Sequence, residues 1–493
     1  MSQQQPELFT PGRRLTQLAQ QKPDEIALIV ERQNGGEDTL SWLQMEQWAN
    51  RLAHRLAESG VKQKSFVAIN LPNCLEHVVG TLAAYKLGAC PMPVSYRMPA
   101  AERDQLMALA QPAAVLSDDQ DLKGITRAQM RALQSYPATP PPDAVPQPQK
   151  AIASGGSTGK PKLIVTPGAY AYELSAHPAA AVWGLNAGDR LYSPGPLYHN
   201  TAFLMTQSIL FIGGSAVLSE KFDADKCLAA VAKHRPTVLN LVPTMMLRML
   251  RSKNVETTDL SSVRGLWHLA APCPEWVKRG WIERIGAEKV NELWAATEFT
   301  GVTVINGREW LQKPGSVGKG FATEIRILDE QRRPLPAGEV GEIFTRFRGA
   351  PAQYSYLGAK AIETVDGDFA SVGDLGYVDA DGYLFLADRR VDQIITGGAN
   401  VVPAEVEAIL TQHPGVRDAA VIGLKDDDLG RRVHALIEPA NADAPPALQE
   451  LDAHLRLHLA SYKLPRSYEI VATLLRDEAG KIRRSKLRDD RGG

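Results

Sequence analysis

Short apolar runs of the kind that form buried strands alternate along most of this chain with segments of helical periodicity. The run VAINLP, residues 67–72, has the length and the apolar character of a buried strand. The segment after it, from Leu75 to Leu87, has helical spacing of its apolar positions and stops before Gly88. Because strands and helices alternate in this way, the pattern predicts an α/β fold in which helices pack on sheets.

An exposed connection interrupts the pattern in the first half of the chain, and the pattern itself changes in the second half. Proline and polar residues dominate residues 137–150, which predicts an exposed connection. Three short runs with turn signals, at residues 324–330, 338–347 and 381–388, predict a β-rich subdomain. After Asp388 the order is strand, turn, helix and strand, and Pro403 suits the first turn of that helix. We therefore expect a large domain of layered α/β subdomains with a β-rich subdomain, followed by a small α+β domain.

Composition narrows the class of protein. Of the 493 residues, 44% are hydrophobic and 23% are charged, which is ordinary for a globular chain. Lysine and arginine number 55 against 56 acidic residues, so no positive excess would attract nucleic acid or an anionic membrane. The four cysteines are far apart, which fits a reducing compartment and speaks against a zinc site. With neither a signal peptide nor a membrane span in the sequence, we expect a cytoplasmic protein.

One loop combines glycines, hydroxyls and a lysine. Glycines let backbone N–H groups wrap an anion, hydroxyls donate to phosphate oxygens, and a lysine adds positive charge. In a Walker A loop, four residues separate the first glycine from a Gly-Lys pair, and Ser or Thr follows that pair. Here three residues separate Gly155 from Gly159, and Pro161 follows. The loop is predicted to bind phosphate in another way, with a flexible solvent loop as the alternative on composition alone. Its residues are Ser154, Gly155, Gly156, Ser157, Thr158, Gly159 and Lys160.

The segment SGGSTGKPK, which begins at Ser154, resembles the signature loop of the adenylate-forming enzymes. That family includes acyl-CoA synthetases, firefly luciferases and the adenylation domains of peptide synthetases. The family form usually continues with glycine, and here the residue is Leu163. Further motifs follow in the family's order, so that the resemblance covers nearly the whole chain. It implies that the loop binds the phosphates of ATP and that Lys160 is one of the catalytic residues.

The segment Trp294-Ala295-Ala296-Thr297-Glu298 resembles the family's aromatic-Gly-x-Thr-Glu motif. The resemblance implies that Trp294 stacks on adenine, that Thr297 donates to the α-phosphate, and that Glu298 binds Mg²⁺. Mg²⁺ held by a carboxylate and by phosphate oxygens is chemically reasonable. In isolation, the same residues would also describe a strand end with a core tryptophan and a solvated glutamate.

Three shorter motifs complete the predicted nucleotide site. Ala270-Ala271-Pro272 resembles the small-residue segment beside adenine, where small side chains permit close approach to a flat ring. Asp374 lies in a segment that resembles the family's Thr-Gly-Asp motif, which implies that it accepts hydrogen bonds from the ribose hydroxyls. Arg390 is implied to meet the ribose or a phosphate. Without the resemblance, Asp374 would be an ordinary turn residue.

The resemblance also implies a division into domains and a mobile small domain. Residues 1–391 correspond to the large domain and residues 392–493 to the small one, with Asp392 as the hinge. Gly397 and Gly398 resemble the loop that borders the tunnel for the pantetheine of CoA after domain rotation. Lys481 resembles the catalytic lysine of the family's Gly-Lys motif, although a surface lysine before a basic helix is otherwise commonplace.

The acyl pocket is predicted near Tyr198-His199-Asn200, which resembles the family's segment at the mouth of that site. We expect His199 to have a gating or orienting role, because a lone histidine does not make a metal site. Trp267 and Ala296 are also assigned to the pocket. The residues that follow His199 are apolar, which predicts a hydrophobic acid, either a medium or long chain or a ring system.

These residues predict an enzyme that uses ATP and Mg²⁺ to form an acyl-adenylate and then transfers the acyl group to CoA. The alternative is an adenylation enzyme that loads a carrier protein. No Asp or Glu occurs from Leu197 to Ser208 to bind an amino-acid ammonium, and no carrier domain follows, which favours CoA. A non-catalytic nucleotide-binding scaffold is a third hypothesis, but it predicts losses among Glu298, Asp374, Arg390 and Lys481, and all four are present. The expected partners are the acid and CoA, without nucleic acid, and a homodimer is left open.

Overall fold

The computed structural model describes residues 7–155, 161–348, 354–362, 364–389, 392, 394–396, 399–426, 428–478 and 480–492. Within them the α-helices are α1 (Pro11–Gln21), α2 (Trp42–Glu58), α3 (Leu75–Lys86), α4 (Ala100–Ala110), α5 (Arg127–Arg131), α6 (Pro178–Trp183), α7 (Asn200–Ile212), α8 (Ala224–His234), α9 (Pro243–Leu250), α10 (Glu275–Ile285), α11 (Gly307–Gln312), α12 (Pro403–Leu410), α13 (Leu448–Arg456) and α14 (Arg484–Asp489).

The strands in the first half of the chain are β1 (Ile26–Glu31), β2 (Glu37–Ser41), β3 (Phe66–Asn70), β4 (Cys90–Pro93), β5 (Ala114–Ser117), β6 (Lys150–Gly155), β7 (Pro161–Thr166), β8 (Arg190–Ser193), β9 (Ser215–Ser219) and β10 (Val238–Leu241). Those in the second half are β11 (Gly265–His268), β12 (Val290–Ala295), β13 (Val302–Asn306), β14 (Ser316–Gly320), β15 (Thr323–Leu328), β16 (Gly341–Phe347), β17 (Ser355–Leu357), β18 (Thr364–Val365), β19 (Phe369–Ala370), β20 (Asp374–Val378), β21 (Leu384–Arg389), β22 (Ile394–Thr396), β23 (Ala399–Val401), β24 (Val416–Asp426), β25 (Gly430–Pro439) and β26 (Ser467–Ile470).

The centre of the large domain is a run of parallel strands in the order β1-β9-β8-β10-β11-β12. Along the chain, helices α7, α8, α9 and α10 connect β8, β9, β10, β11 and β12 in turn, as expected for crossover connections between parallel strands of one sheet. Gly213 caps the C-terminus of α7, and its φ of +103°, which is strained for residues with a Cβ, lets the chain turn directly into β9. The buried run VAINLP predicted as a strand forms β3, which pairs in parallel with β4 and β5 in a second sheet.

The β-rich subdomain continues the central sheet through antiparallel neighbours. Strands β13, β14, β21, β20 and β16 follow β12 in that order. The three runs expected from turn signals correspond to β15, β16 and β21, each shifted by a few residues. Although β21, β14 and β13 lie between β20 and β12 in this order, the two strands approach closely enough for Trp294 to donate to Asp374.

The small domain forms its own core. Strands β24, β25 and β26 make a sheet, and α12 and α13 cover one face of it with side chains that include Val406, Leu410 and Leu451. Pro403 is the first residue of α12, as expected. The predicted mixed α/β fold with a large N-terminal and a small C-terminal domain is confirmed. Along the described residues, none of the helices is both long enough and apolar enough to cross a lipid bilayer.

The two domains meet through polar contacts at the end of α9. The guanidinium of Arg251 donates to the backbone carbonyl of Val416 at 2.6 Å and also to that of Thr411. On another part of the interface, Arg483 of the small domain lies 3.4 Å from Glu102 of the large domain. The small domain is therefore docked on the large one in this structure.

Candidate active site

The carboxyl ends of the central parallel strands bring most of the predicted site residues to one edge. His199 follows β8, Ala270 follows β11, and Thr297 follows β12. Strands β8, β10, β11 and β12 are parallel neighbours, so their carboxyl ends share an edge of the sheet. Ligands of open α/β sheets bind outside this edge. The fold therefore gathers nucleotide and acyl candidates that are far apart in sequence.

Glu298 lies beside a lysine and a tyrosine that the sequence analysis did not select. The hydroxyl of Tyr356 donates to Oε1 of Glu298 at 2.5 Å, and Nζ of Lys162 lies 3.4 Å from the same oxygen. Nζ of Lys162 is also 3.9 Å from the centre of the Tyr356 ring. Burial, and then the hydrogen bond to Glu298, raise the pKa of Tyr356 above its ordinary value, so its hydroxyl keeps the proton it donates.

The same cluster tests whether Glu298 can hold Mg²⁺. Both contacts use Oε1, so Oε2 has no hydrogen bond from the residues that the structure describes. A carboxylate oxygen completed by phosphate oxygens and water is the donor set that Mg²⁺ prefers at nucleotide sites. The residues present therefore fit the ion.

Trp294 and Asp374 are brought together from β12 and β20. Nε1 of Trp294 donates to Oδ2 of Asp374 at 3.2 Å. The indole also packs against the core of the β-rich subdomain, which includes Val317 and Leu384. These contacts fix the orientation of the ring and place the two predicted nucleotide residues side by side.

The turn after β11 holds its backbone in an unusual conformation. Ala270 has φ of +75°, in the left-handed region that costs a residue with a Cβ about 1–2 kcal/mol. Ala270 and Pro272 are exposed and Ala271 is half-buried. Small exposed side chains in a strained turn next to the sheet edge leave room for a flat ring, and such strain is common at functional sites.

His199 stands at the N-terminus of α7, with its ring 4.7 Å from that of Tyr198. Its Nε2 is enclosed and has no hydrogen-bond partner among the described residues. Burial lowers the pKa of His199 to about 4; the negative charge of Asp477 opposes this shift, and the positive charges of Lys481 and Arg483 add to it. The imidazole is therefore neutral near pH 7, and the small domain reaches close enough to influence it.

Lys150 is a buried cation that the sequence analysis did not select. Its Nζ donates to Oδ1 of Asn200 at 2.6 Å. Burial lowers the pKa of Lys150 to about 8, while Cys90 and Glu298 act in the opposite direction. The lysine joins the strand that leads into the phosphate loop to the first residue of α7, and so connects the predicted phosphate and acyl regions.

The other two residues assigned to the acyl pocket differ in exposure. Trp267 is buried in the core cluster that also contains Leu197 and Leu293. Ala296 is half-buried just beyond the end of β12. Their roles in an acyl pocket stay predictions.

Lys481 belongs to a tight turn that docks on the large domain. We call residues 477–481 the Lys481 turn; residue 479 lies outside the described residues. The amide of Lys481 donates to Oδ1 of Asp477, and the amide of Asp477 donates to the carbonyl of Lys481, both at 2.9 Å. Gly480 has φ of +75°, and a Cβ there would lie 3.0 Å from Oγ1 of Thr244 on α9. The turn is therefore closed on itself and packed against the sheet edge.

Glu478 of this turn supplies a carboxylate to the acyl region. The hydroxyl of Tyr198 donates to Oε2 of Glu478 at 2.7 Å, and Arg97 donates to Oε1 at 2.7 Å. The absence of acidic residues from Leu197 to Ser208 therefore does not mean that the region lacks a carboxylate. Because both oxygens of Glu478 already have partners, the carboxylate is not available as a ready site for a substrate ammonium.

Several predicted residues lie outside the described residues, and Ser154 and Gly155 are described only as backbone, in β6. Asp392 is described, and its Oδ2 lies 3.5 Å from Arg484 of α14. Those outside are Gly156, Ser157, Thr158, Gly159, Lys160, Arg390, Gly397 and Gly398.

Lys162, Tyr356 and Glu478 were not selected from the sequence, and they differ in how far the sequence marks them as site residues. Lys162 is only two residues beyond Lys160 in the same motif, so the sequence marks it as a second candidate for binding phosphate. In the structure it pairs with Ser154 across β6 and β7. Tyr356 and Glu478 are 58 and 280 residues away from their partners Glu298 and Tyr198, and no local pattern marks such contacts.

Two family matches follow the chain in the order of its domains. Residues 15–354 match the AMP-binding enzyme family, and residues 405–481 match the AMP-binding enzyme C-terminal domain. The 2-succinylbenzoate–CoA ligase of Bacillus licheniformis is 30% identical, over 96% of this chain and 98% of the relative. A feruloyl-CoA synthase of an Amycolatopsis species is also 30% identical, over 92% and 94%.

A solved structure of an adenylate-forming enzyme has the same fold. The o-succinylbenzoate CoA synthetase of Bacillus subtilis, solved with its acyl-adenylate intermediate, superimposes with a TM-score of 0.81, at 26% identity and over 99% of both chains. The superposition therefore spans both of the domains described above. The chain is an enzyme, and it belongs to the family of AMP-binding, adenylate-forming enzymes whose relatives include the acyl- and aryl-CoA ligases.

Proposed function

We propose that this enzyme activates a hydrophobic carboxylic acid, of the aryl class, with ATP and transfers the acyl group to CoA. The observation that carries the proposal is the docking of the Lys481 turn at the sheet edge, where Glu478 of the turn accepts from Tyr198, next to His199. Glu298, Trp294 and Asp374 lie at the same edge. The relatives named for 2-succinylbenzoate and ferulate support a ring-containing acid. The apolar residues that follow His199 support the same class.

In the first step, a carboxylate oxygen of the acid attacks the α-phosphorus of ATP, and the bond to the bridging oxygen of pyrophosphate breaks. Both reactants are anions, so catalysis depends on positioning and on the neutralisation of charge. We assign neutralisation to Lys162 and Lys481, in addition to Lys160, and hydrogen bonding to Thr297. Mg²⁺ bound at Glu298 would supply further positive charge to the phosphates.

We assign the binding of the nucleotide to residues that contact its base and its ribose. The indole of Trp294 and the backbone of the turn at Ala270 face the base, and Asp374 accepts from the ribose hydroxyls. The hydrogen bond from Trp294 to Oδ2 of Asp374 orients this carboxylate toward the nucleotide site.

In the second step, the sulfur of CoA attacks the acyl carbon, a C–S bond forms, and the bond to AMP breaks as the thiol proton is released. The Lys481 turn occupies the sheet edge in this structure, which suits the first step. We propose that the small domain, residues 392–493, rotates about Asp392 so that Gly397 and Gly398 replace the turn before the thiol enters.

Because none of the four cysteines forms a disulfide, we also assign the enzyme to a reducing compartment, the cytoplasm.

A screen of acids tests the proposal. Pyrophosphate release is measured over aryl, fatty and polycyclic acids with ATP and Mg²⁺, and acyl-CoA is identified by mass spectrometry when CoA is added. We expect pyrophosphate release with at least one aryl acid, and the matching acyl-CoA. If pyrophosphate forms but only a carrier protein accepts the acyl group, the CoA assignment is wrong; if no acid releases pyrophosphate, the proposed reaction is wrong.

A further inference from the structure

Glu478 makes the contacts that join the Lys481 turn to the acyl region. It lies three residues before Lys481, and its two carboxylate oxygens accept from two different elements of the large domain. Tyr198, which precedes α7, donates at 2.7 Å, and Arg97, in the loop after β4, donates at 2.7 Å. A single side chain of the small domain thus bridges two parts of the site.

The two contacts differ in strength. The side chain of Arg97 is 47% exposed and that of Glu478 is 26% exposed, so water screens this ion pair and weakens it. Tyr198 is more enclosed, and burial, followed by the hydrogen bond to Glu478, raises its pKa above the ordinary value. Its hydroxyl therefore stays protonated and donates to a charged acceptor, which is the stronger kind of hydrogen bond.

The aromatic rings hold these donors in place. The rings of Tyr96 and Tyr198 meet edge to face with centroids 6.3 Å apart, and the guanidinium of Arg97 lies 5.3 Å from the centre of the Tyr96 ring. Nε of Arg97 also donates to the hydroxyl of Tyr96 at 3.1 Å. Both donors are therefore oriented before the small domain docks, which reduces the entropy lost when Glu478 arrives.

Gly480 lies at the face of the turn that meets Thr244 and Val242. A Cβ at Gly480 would lie 3.0 Å from Oγ1 of Thr244 and 3.4 Å from Cγ2 of Val242, so Thr244 would have to shift slightly to admit it. Those contacts limit how closely the turn approaches, whereas Glu478 supplies direction and attraction. We infer that Glu478 is a positioning residue, which holds Lys481 over the reacting groups during adenylation and releases it when the small domain rotates.

This inference rests on the proposed function of Lys481, and it predicts an effect on one half-reaction only. Glu478→Ala should slow single-turnover pyrophosphate release about tenfold, the effect expected from losing a hydrogen bond to a charged group. The consumption of presynthesised acyl-adenylate by CoA should change less than about twofold, because Glu478 has left its partners by then. Glu478→Gln, which can still accept from Tyr198, should fall between wild type and Glu478→Ala.

Two further variants separate positioning from general damage. Glu102→Gln is the matched control, because it breaks another exposed contact between the domains, with Arg483 at 3.4 Å, and should leave both rates unchanged. Arg97→Glu should slow pyrophosphate release, and the exchanged pair Arg97→Glu with Glu478→Arg should recover part of the loss. Equal slowing of both half-reactions by Glu478→Ala, or rates like those of Glu102→Gln, would overturn the inference.

Hydrogen exchange provides a readout that does not need activity. The peptide that contains Gly480 and Lys481 should exchange faster in Glu478→Ala than in wild type, and at the wild-type rate in Glu102→Gln. Lys481→Ala is measured in parallel. If Lys481→Ala slows pyrophosphate release but Glu478→Ala changes neither rates nor exchange, the inference fails and the proposed function stands. If exchange rises as expected but no acid is activated, the proposed function fails and the docking role stands.

Discussion

Gly480 offers a test of whether the docked position of the Lys481 turn is the one used for adenylation. In Gly480→Ala, the new methyl group meets two separate costs. The backbone has φ of +75°, so alanine is strained by about 1–2 kcal/mol wherever the small domain lies. The Cβ also lies 3.0 Å from Oγ1 of Thr244 and 3.4 Å from Cγ2 of Val242, and this second cost exists only while the turn is docked.

The two costs act on different observables. The strain lowers the free energy of unfolding and does not change the balance between docked and rotated domains, since both contain the turn. The close contact is a small overpacking, for which about 1–2 kcal/mol is a reasonable cost. A change of that size reduces the docked population, and with it the rate of adenylation, by about 5- to 30-fold. The attack of CoA on acyl-adenylate should not slow.

Gly430 provides a matched control in the same domain. Its φ is +73°, almost that of Gly480, and a Cβ there would meet no described atom within 4 Å. Gly430→Ala should therefore lose about the same stability in thermal unfolding and keep both half-reaction rates. In the double variant Gly480→Ala with Thr244→Ala, adenylation should recover relative to the Thr244→Ala single variant, because the atom at 3.0 Å is gone. The reasoning is refuted if Gly480→Ala and Gly430→Ala form adenylate at equal rates.

Three other predictions follow from the site. Glu298→Gln should lose most pyrophosphate release while its thermal unfolding stays near that of wild type, and normal release would exclude a role for this carboxylate in binding Mg²⁺. Lys481→Ala should slow adenylate formation about 10²–10³-fold, as for the loss of one charge-stabilising donor, and equal slowing of both half-reactions would contradict this. The pKa of Lys150 is lowered to about 8, so the folded protein releases this proton before the unfolded chain does. Between pH 8 and about 10.5 the free energy of unfolding of wild type should therefore rise relative to that of Lys150→Met, by up to about 3 kcal/mol, and a flat difference across that range would refute the assignment.

The order of elements along the chain was predictable because it depends on local patterns. The apolar run of β3, the helical spacing of α3 and the proline at the start of α12 are each explained by a few adjacent residues. The general position of the site was predictable for a related reason. Motifs that follow parallel strands must meet at the carboxyl edge of the sheet, whatever their separation in sequence.

What the sequence did not reveal are contacts that depend on how distant segments approach. Lys162, which was not selected from the sequence, meets Glu298 because β7 runs beside β6 in register. Tyr356 reaches the same carboxylate only because β17 pairs with β7. Glu478 acquires its role from the docking of one domain on another, and its own neighbours in sequence give no sign of it. The absence of Asp and Glu from Leu197 to Ser208 therefore gave no indication that the carboxylate of Glu478 reaches Tyr198.

The nature of the interface between the domains bears on how easily the small domain could rotate. Arg251 donates to backbone carbonyls, Arg483 pairs with Glu102 in an exposed contact, and Glu478 accepts from Tyr198 and Arg97. Water can replace each of these polar partners when the domains separate, so the net free energy of each contact is small although its geometry is specific. An interface of this kind defines one orientation precisely and still releases it at low cost, which is the property expected of domains that move relative to one another. The contacts of Glu478 and Arg251 therefore define the docked orientation of the small domain, and they are weak enough for that domain to leave it.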